Sequence, residues 1–387
     1  MSAVKKLFNL ILILLGVALI VICADLVSNK LGKTSFVQLD ETDKNAIEEL
    51  CQMTALFDDK YGNEDIWTED YNLRNESCVI TRRFGFVKGY TYAVNMNAPK
   101  CLYAQRIKMP EEYNDIPVYR FAYLTPFTFK LAGMEDGGFT QVRGKTVYAS
   151  PFDIQSVKYN GTGSLEEQYI SNTFAESVES VDIPEHDVIS QYEVEEENIA
   201  LTGLQYRIID DMLAAGSGEK FNELLAEYVA VREYQNSKYP KFANRRIQTE
   251  LEQGTALYVF YRISEEIDHN ITYFNKEKDD PITFYSAYYY LCTGRYNSDV
   301  GEFLNEAGDS YVGAALCRII NDQGVTSSWQ SKLSGSPENF TSQYTLLKRY
   351  CDASCGKFTD KKIDDIKRTY NYEEIISMAR TLVKAVE

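Results

Sequence analysis

The chain has 387 residues, 44% of them hydrophobic, including 29 Tyr and 19 Phe, which is ample for packed cores and excludes global disorder. It sets 40 Lys and Arg against 57 Asp and Glu. So acidic a surface repels phosphate backbones and excludes a nucleic-acid-binding role.

Lys5 and Lys6 precede an apolar run from Leu7 to Ala24, broken only by Asn9. As a helix this run rises about 27 Å, close to the roughly 30 Å of a bilayer's hydrocarbon core. The apolar cores of signal peptides are shorter, about 7–15 residues. An uncleaved single-pass anchor over residues 1–24 is therefore expected, contacting the lipid bilayer through residues 7–24. A signal cleaved after Ala24 is the alternative. Cys23 follows Ile22 and not a small residue, so no lipidated cysteine is read. Lysines before the run and acids after it orient the N-terminus to the cytoplasm and export everything from Asp25. Only two Lys and no acid precede Asp25, so the exported part carries 38 basic against 57 acidic residues, a formal charge of −19.

Residues 25–60 read as a polar spacer followed by one short helix near Ala46–Leu56. Residues 61–160 read as a mainly β subdomain. Tyr90, Tyr92, Val94 and Met96 alternate with Thr91, Ala93 and Asn95, the period of a half-buried strand. Val118–Leu124 and Phe127–Leu131 are aromatic-rich and read as further strands, and Phe139–Ser150 as a hairpin turning near Arg143–Gly144. Gly, Pro and Asn separate these runs, as strand connections require.

From residue 161 to 387 the period becomes helical. Ile170, Phe174 and Val178 fall four apart. Leu201, Leu204, Ile208 and Met212 form the next stripe, ended by Gly216 and Gly218. Phe221, Leu224, Leu225, Tyr228 and Val231 form a third, stopped by Pro240, and Ile247, Leu251, Gly254, Tyr258 and Tyr261 a fourth. Later helices are expected near 283–293, 308–322, 341–354 and 373–386. The stripes are core faces. The fold class is α+β: a membrane helix, a small mainly antiparallel sheet, then a predominantly helical domain.

Seven cysteines follow the apolar run, an odd number that forbids complete internal pairing. Cys78–Cys101 is the most plausible bridge, since both flank strand-like segments. Cys351 and Cys355 share a helical face but lack the C-x-x-C pairs of a zinc ribbon. No G-x-S-x-G elbow, Walker motif or calcium loop occurs. Asn160–Ser164 is a Gly-rich loop, and Glu195–Glu197 a charge run at a helix start. Tyr288, Tyr289 and Tyr290 are consecutive and must face different directions on a helix. Some of them suit a stacking groove, but core filling is favoured.

Four strings, Glu197–Leu213, Leu224–Pro240, Glu250–Tyr261 and Ser310–Gly324 followed by Trp329, occur in an order and spacing that resembles bacterial gluzincin-type zinc peptidases. In that family an H-E-x-x-H helix follows a small sheet. The resemblance implies a zincin-like helical subdomain and puts Tyr169–Ser180 where the metal helix belongs. Ser171 and Ala175 then stand at the two histidine positions, Asn172 at the glutamate base, and Gln253 at the family's E-G-x-A-x-Y glutamate, with Glu250 retained nearby. A serine is a poor zinc ligand, alanine is none, and one carboxylate cannot supply the roughly three protein ligands that catalytic zinc requires. The two histidines, His186 and His269, read as a solvated loop residue and a helix-terminal cation.

The expectation is therefore a degenerate metallopeptidase-like protein without metal or cofactor, leaning away from catalysis. Ser171, Asn172, Ala175, Glu250 and Gln253 would line a former active-site cleft that binds a peptide, a cell-wall component or a protein. The alternatives are an active hydrolase with an unrecognised site and a structural subunit of an envelope complex.

Overall fold

A single unbroken helix, α1 (Ser2–Leu31), opens the chain. In this computed structural model the described residues are 2–32, 34–58, 66–84, 87–96, 104–134, 136–142, 144–158, 163–178, 195–267, 283–294, 307–336, 338–358 and 361–386. Within α1, Lys5–Leu31 is long and apolar enough to cross a membrane, and none of its apolar window is buried in the protein. The helix runs past the apolar stretch: the Asp25 carboxylate accepts the Leu124 N–H at 2.7 Å, and Asn29 exchanges hydrogen bonds with Arg120. Residues 25–31 are thus part of the folded unit, where the sequence suggested a spacer.

After α2 (Glu41–Ala55) come β1 (Cys78–Phe84), β2 (Val87–Val94), β3 (Ala104–Arg106), β4 (Val118–Phe121), α3 (Pro126–Ala132), β5 (Gly138–Val142), β6 (Lys145–Phe152), α4 (Ile154–Lys158) and α5 (Leu165–Ser177). The six strands form one sheet in the order β3-β4-β2-β1-β6-β5. Every pairing is antiparallel except β1 with β6, which is parallel. The expected hairpin is β5–β6, and Gly144 at its turn has φ +79°, a left-handed conformation that glycine adopts at no steric cost.

Two expectations change. Phe127–Leu131 is not a strand but lies in α3. Thr125 caps it by accepting the Thr128 N–H, and Pro126 occupies the first turn, where its missing N–H costs nothing. The β2 strand is also buried on both faces. Val79, Ala93, Phe121, Leu131, Val147 and Ala149 pack on one side. On the other, Tyr92 donates to the buried Asp43 of α2 at 2.6 Å, and Arg82 reaches the same carboxylate at 3.2 Å. A strand covered on both sides loses the alternation that a half-exposed strand shows.

Burial pushes the Glu49 carboxyl of α2 up to about 8, and the neighbouring Glu166 and Glu48 add to the shift. An unfolded glutamate titrates near about 4.3. The folded chain therefore holds a proton there that the unfolded chain has released, and this contribution, present below pH ~4.3, is lost as pH rises through about 8. Glu49→Gln, which stays neutral, is expected to melt with the parent at pH 4 and progressively above it towards pH 8.5. Scanning calorimetry across that range checks this, and parallel curves would refute it.

The chain divides into two units. The first comprises Met1–Asp65 and Tyr71–Thr173, the second Ile66–Asp70 and Phe174–Glu387. The division falls inside α5, later than the sequence boundary at residue 160, because Tyr71 binds the Thr173 hydroxyl at 3.1 Å and Tyr148 packs on Tyr169. The second unit holds α6 (Glu196–Ala214), α7 (Glu219–Lys238), α8 (Pro240–Glu266), α9 (Phe284–Cys292), α10 (Gly308–Asp322), α11 (Gln343–Ser354), α12 (Ile363–Thr369) and α13 (Tyr372–Val386). Trp67 inserts against Phe174 and Trp329, with ring centroids 5.0 and 5.6 Å away. Tyr288 is buried against Gly203, its hydroxyl donating to the Ile375 carbonyl, which is the core role favoured from sequence.

Candidate functional site

Apolar stripes account for most of the faces turned inward by α6, α7, α8, α10 and α11, yet charged and amide side chains interrupt them. On α8, Arg246 and Glu250 stand one turn apart on one face. On α7, Arg232 and Gln235 continue the stripe begun by Leu225 and Tyr228. All four interrupting residues are fully buried.

These side chains close on one another. Arg232 grips Glu250 with two parallel bonds of 2.7 and 2.9 Å, the fork geometry in which guanidinium and carboxylate match best. Arg246 Nε approaches the same carboxylate at 2.9 Å and Asp309 of α10 at 3.2 Å. Its Nη1 donates to the Oε1 atoms of Gln205 and Gln235 at 3.0 and 3.1 Å. Gln235 in turn donates to Asn198 and Thr202 of α6, and Gln343 of α11 donates to the Glu250 backbone carbonyl at 2.9 Å. Two arginines and two carboxylates make the core of this cluster formally neutral. Burial pushes the Asp309 carboxyl up to about 6, against the pull of Arg246.

The arrangement suits cohesion better than proton transfer. A base must present a free lone pair to water or substrate. Both Glu250 oxygens already have arginine partners, and no part of the residue reaches solvent. Glu250, expected on a cleft wall, lies instead inside the helical core, because the cations on α7 and α8 compensate its burial. Gln253, one turn on and midway along α8, is exposed and accepts the Ser310 hydroxyl at 2.7 Å. Glu250 and Gln253 are not brought to one surface.

The other predicted residues lie on α5. Ser171 donates to Glu167 at 2.9 Å and Asn172 to the Gln168 carbonyl at 2.7 Å, so both polar groups are satisfied within the helix. Both belong to the first unit, whereas Ala175, exposed, falls in the second with Glu250 and Gln253. His186 and His269 lie outside the described residues. Cys78 is a buried free thiol, in place of the suggested bridge, and Cys101 lies outside the described residues; Cys351 and Cys355 are also free and buried. Among the described residues no three His, Cys, Asp or Glu side chains converge as a metal ion requires.

Sequence reasoning missed Arg232, Arg246, Asp309, Gln205, Gln235 and Gln343. The available signal was a set of charged or amide residues falling in step with apolar stripes, where burial demands partners. No protein-family model, curated protein or solved structure matches the chain.

Proposed function

We propose that the chain is a single-pass membrane protein, cytoplasmic at its N-terminus, whose region from Asp25 onward is a non-catalytic binding module for a peptide, a cell-wall component or a protein. The anchor is supported by the apolar helix that no protein packing covers, and the orientation by Lys5 and Lys6 ahead of it. The observation that carries the non-catalytic reading is the bidentate Arg232–Glu250 pair, to which Arg246 adds a third bond. A carboxylate so engaged is a poor acceptor for a water proton. In the resemblance to gluzincin-type peptidases, Glu250 is the acid retained beside the substituted motif, and here it serves the helical core.

Metal content and hydrolysis test the reading on the full chain purified in detergent. Elemental analysis is expected to find zinc far below one ion per chain, and a broad casein or peptide assay to find no activity that a chelator removes. Stoichiometric zinc together with chelator-sensitive hydrolysis would overturn it. Exchanging Leu7–Ala24 for an unrelated membrane helix is expected to preserve function. Loss on that exchange would favour an assembly subunit that works through its helix.

A further inference from the structure

We propose that one end of the sheet unit, formed by the end of β1, α3 and the start of α4, rests in the headgroup layer of the bilayer as a second lipid contact beside the α1 anchor; this builds on the reading that α1 spans the membrane.

The direction of α1 fixes which end faces lipid. The helix passes β4 in the opposite sense: Asp25 bonds Leu124, Asn29 bonds Arg120 near the middle of the strand, and Ser35 bridges Lys108 farther down. The apolar run before Asp25 therefore projects beyond the end of the sheet where β4 finishes. Strand register places two more features at this end. The end of β1 lies there, because Phe84 pairs with Val87 beyond the Tyr92–Arg120 pair of β2 and β4. So does the end of β6, because Phe152 lies beside Arg82.

Each of these elements carries an exposed large apolar side chain. Phe84 at the end of β1 is 52% exposed, Phe129 on α3 is 54% exposed and Ile154 at the start of α4 is 46% exposed. Exposed apolar side chains are better placed against lipid than in water, and aromatic rings favour the membrane interface. Cations cover one face of two of the rings: Arg82 stands 4.1 Å from the Phe84 centroid, and Lys88 stands 4.9 Å from that of Phe129 while donating to the Tyr123 carbonyl and Thr128. Arg83 bonds the Ala132 carbonyl at 3.2 Å, tying the strand to α3.

Charge permits the approach. Among the described residues of this end, Lys44, Arg82, Arg83, Lys88 and Lys130 are matched by Asp25, Asp40, Glu41, Asp43 and Asp153. A chain strongly acidic elsewhere is neutral here, so neither anionic nor zwitterionic headgroups repel it. The contact is accordingly interfacial and apolar, and independent of lipid charge.

Fluorophore depth measurements test this on the full chain in phosphatidylcholine vesicles. Background thiols are limited by Cys23→Ser and Cys101→Ser, and single labels are introduced through Phe129→Cys, Phe84→Cys or, at the opposite end of the sheet, Thr146→Cys. A parallel sample keeps Cys23, within α1, as the labelled site. Headgroup-bearing nitroxide lipid is expected to quench the labels at 129 and 84 about twofold or more, and the label at 146 hardly at all. Addition of anionic lipid should leave these values unchanged. Quenching at Cys23 without quenching at 129 and 84 would overturn the interfacial contact and leave the anchor standing. No quenching by acyl-chain nitroxides at Cys23 would remove the anchor, and this inference with it.

Discussion

Glu250→Gln is expected to destabilise the helical unit by about 3–5 kcal/mol, the cost of stranding a buried cation by removing its partner. Arg232 loses both charge-assisted bonds at once, and Arg246 loses one of its two carboxylates. Neither guanidinium can discard its proton, because arginine stays charged in proteins. Neither can turn to water, since both are fully buried. The chain supplies its own probe. Its two tryptophans, Trp67 and Trp329, both belong to the second unit, so the tryptophan signal in a urea titration follows that unit alone. The Arg232→Met/Glu250→Gln pair is expected to recover part of the loss, because one of the two stranded cations is gone and its volume is refilled with apolar atoms. A single-variant loss below about 1 kcal/mol would mean that the carboxylate is hydrated and open, as a working base would be, and would weigh against the non-catalytic reading.

What the sequence disclosed follows from how each element earns its burial. Helices α9 and α11 follow their stripes because one face is packed and the other wet, whereas α6, α7, α8 and α10 are buried on nearly every side over several turns, so that their stripes mark only part of what packs. The Gly216 and Pro240 punctuation marks real ends, since α6 finishes at Ala214 and Pro240 begins α8. The strand β2 was found from its residues, yet its two-sided burial was hidden, because Thr91 and Ala93 look polar or small while α2 covers Tyr92 from the other side. The aromatic string at Phe127–Leu131 misled because its composition favours strands, whereas the Thr125–Pro126 start signal favours a helix and prevails. The candidate site was the least legible part. Aligned motif positions gave Ser171 and Asn172, which bond within their own helix, and Gln253, which accepts from Ser310 of α10. The cluster around Glu250 joins residues as distant as Gln205 and Gln343, a neighbourhood that only the packing of five helices creates.

That packing is tightest where α8 crosses α10, and Gly313→Ala is expected to cost about 3 kcal/mol or more, at the top of the range for overpacked cores. A methyl at Gly313 would sit on the backbone of Glu250, 2.8 Å from its Cα and 2.9 Å from its carbonyl carbon, besides meeting its carbonyl oxygen. Backbone atoms cannot rotate aside, so relief requires the two helices to separate. Gly254 meets the same constraint from the other side, its added carbon falling 2.6 Å from the Gly313 Cα. Separation has a second consequence, because Glu250 and Asp309 ride on the two helices and share Arg246 between them. Opening the crossing by a few tenths of an ångström lengthens those charge pairs in a region without water to replace them. Gly356→Ala is the matched control, since open space surrounds that position and its φ is ordinary. It is expected to leave the tryptophan-detected urea midpoint within about 0.5 kcal/mol of the parent. Equal midpoints for Gly313→Ala and Gly356→Ala would mean that the crossing is loose, and that the cluster beneath it does not depend on helix contact for its geometry.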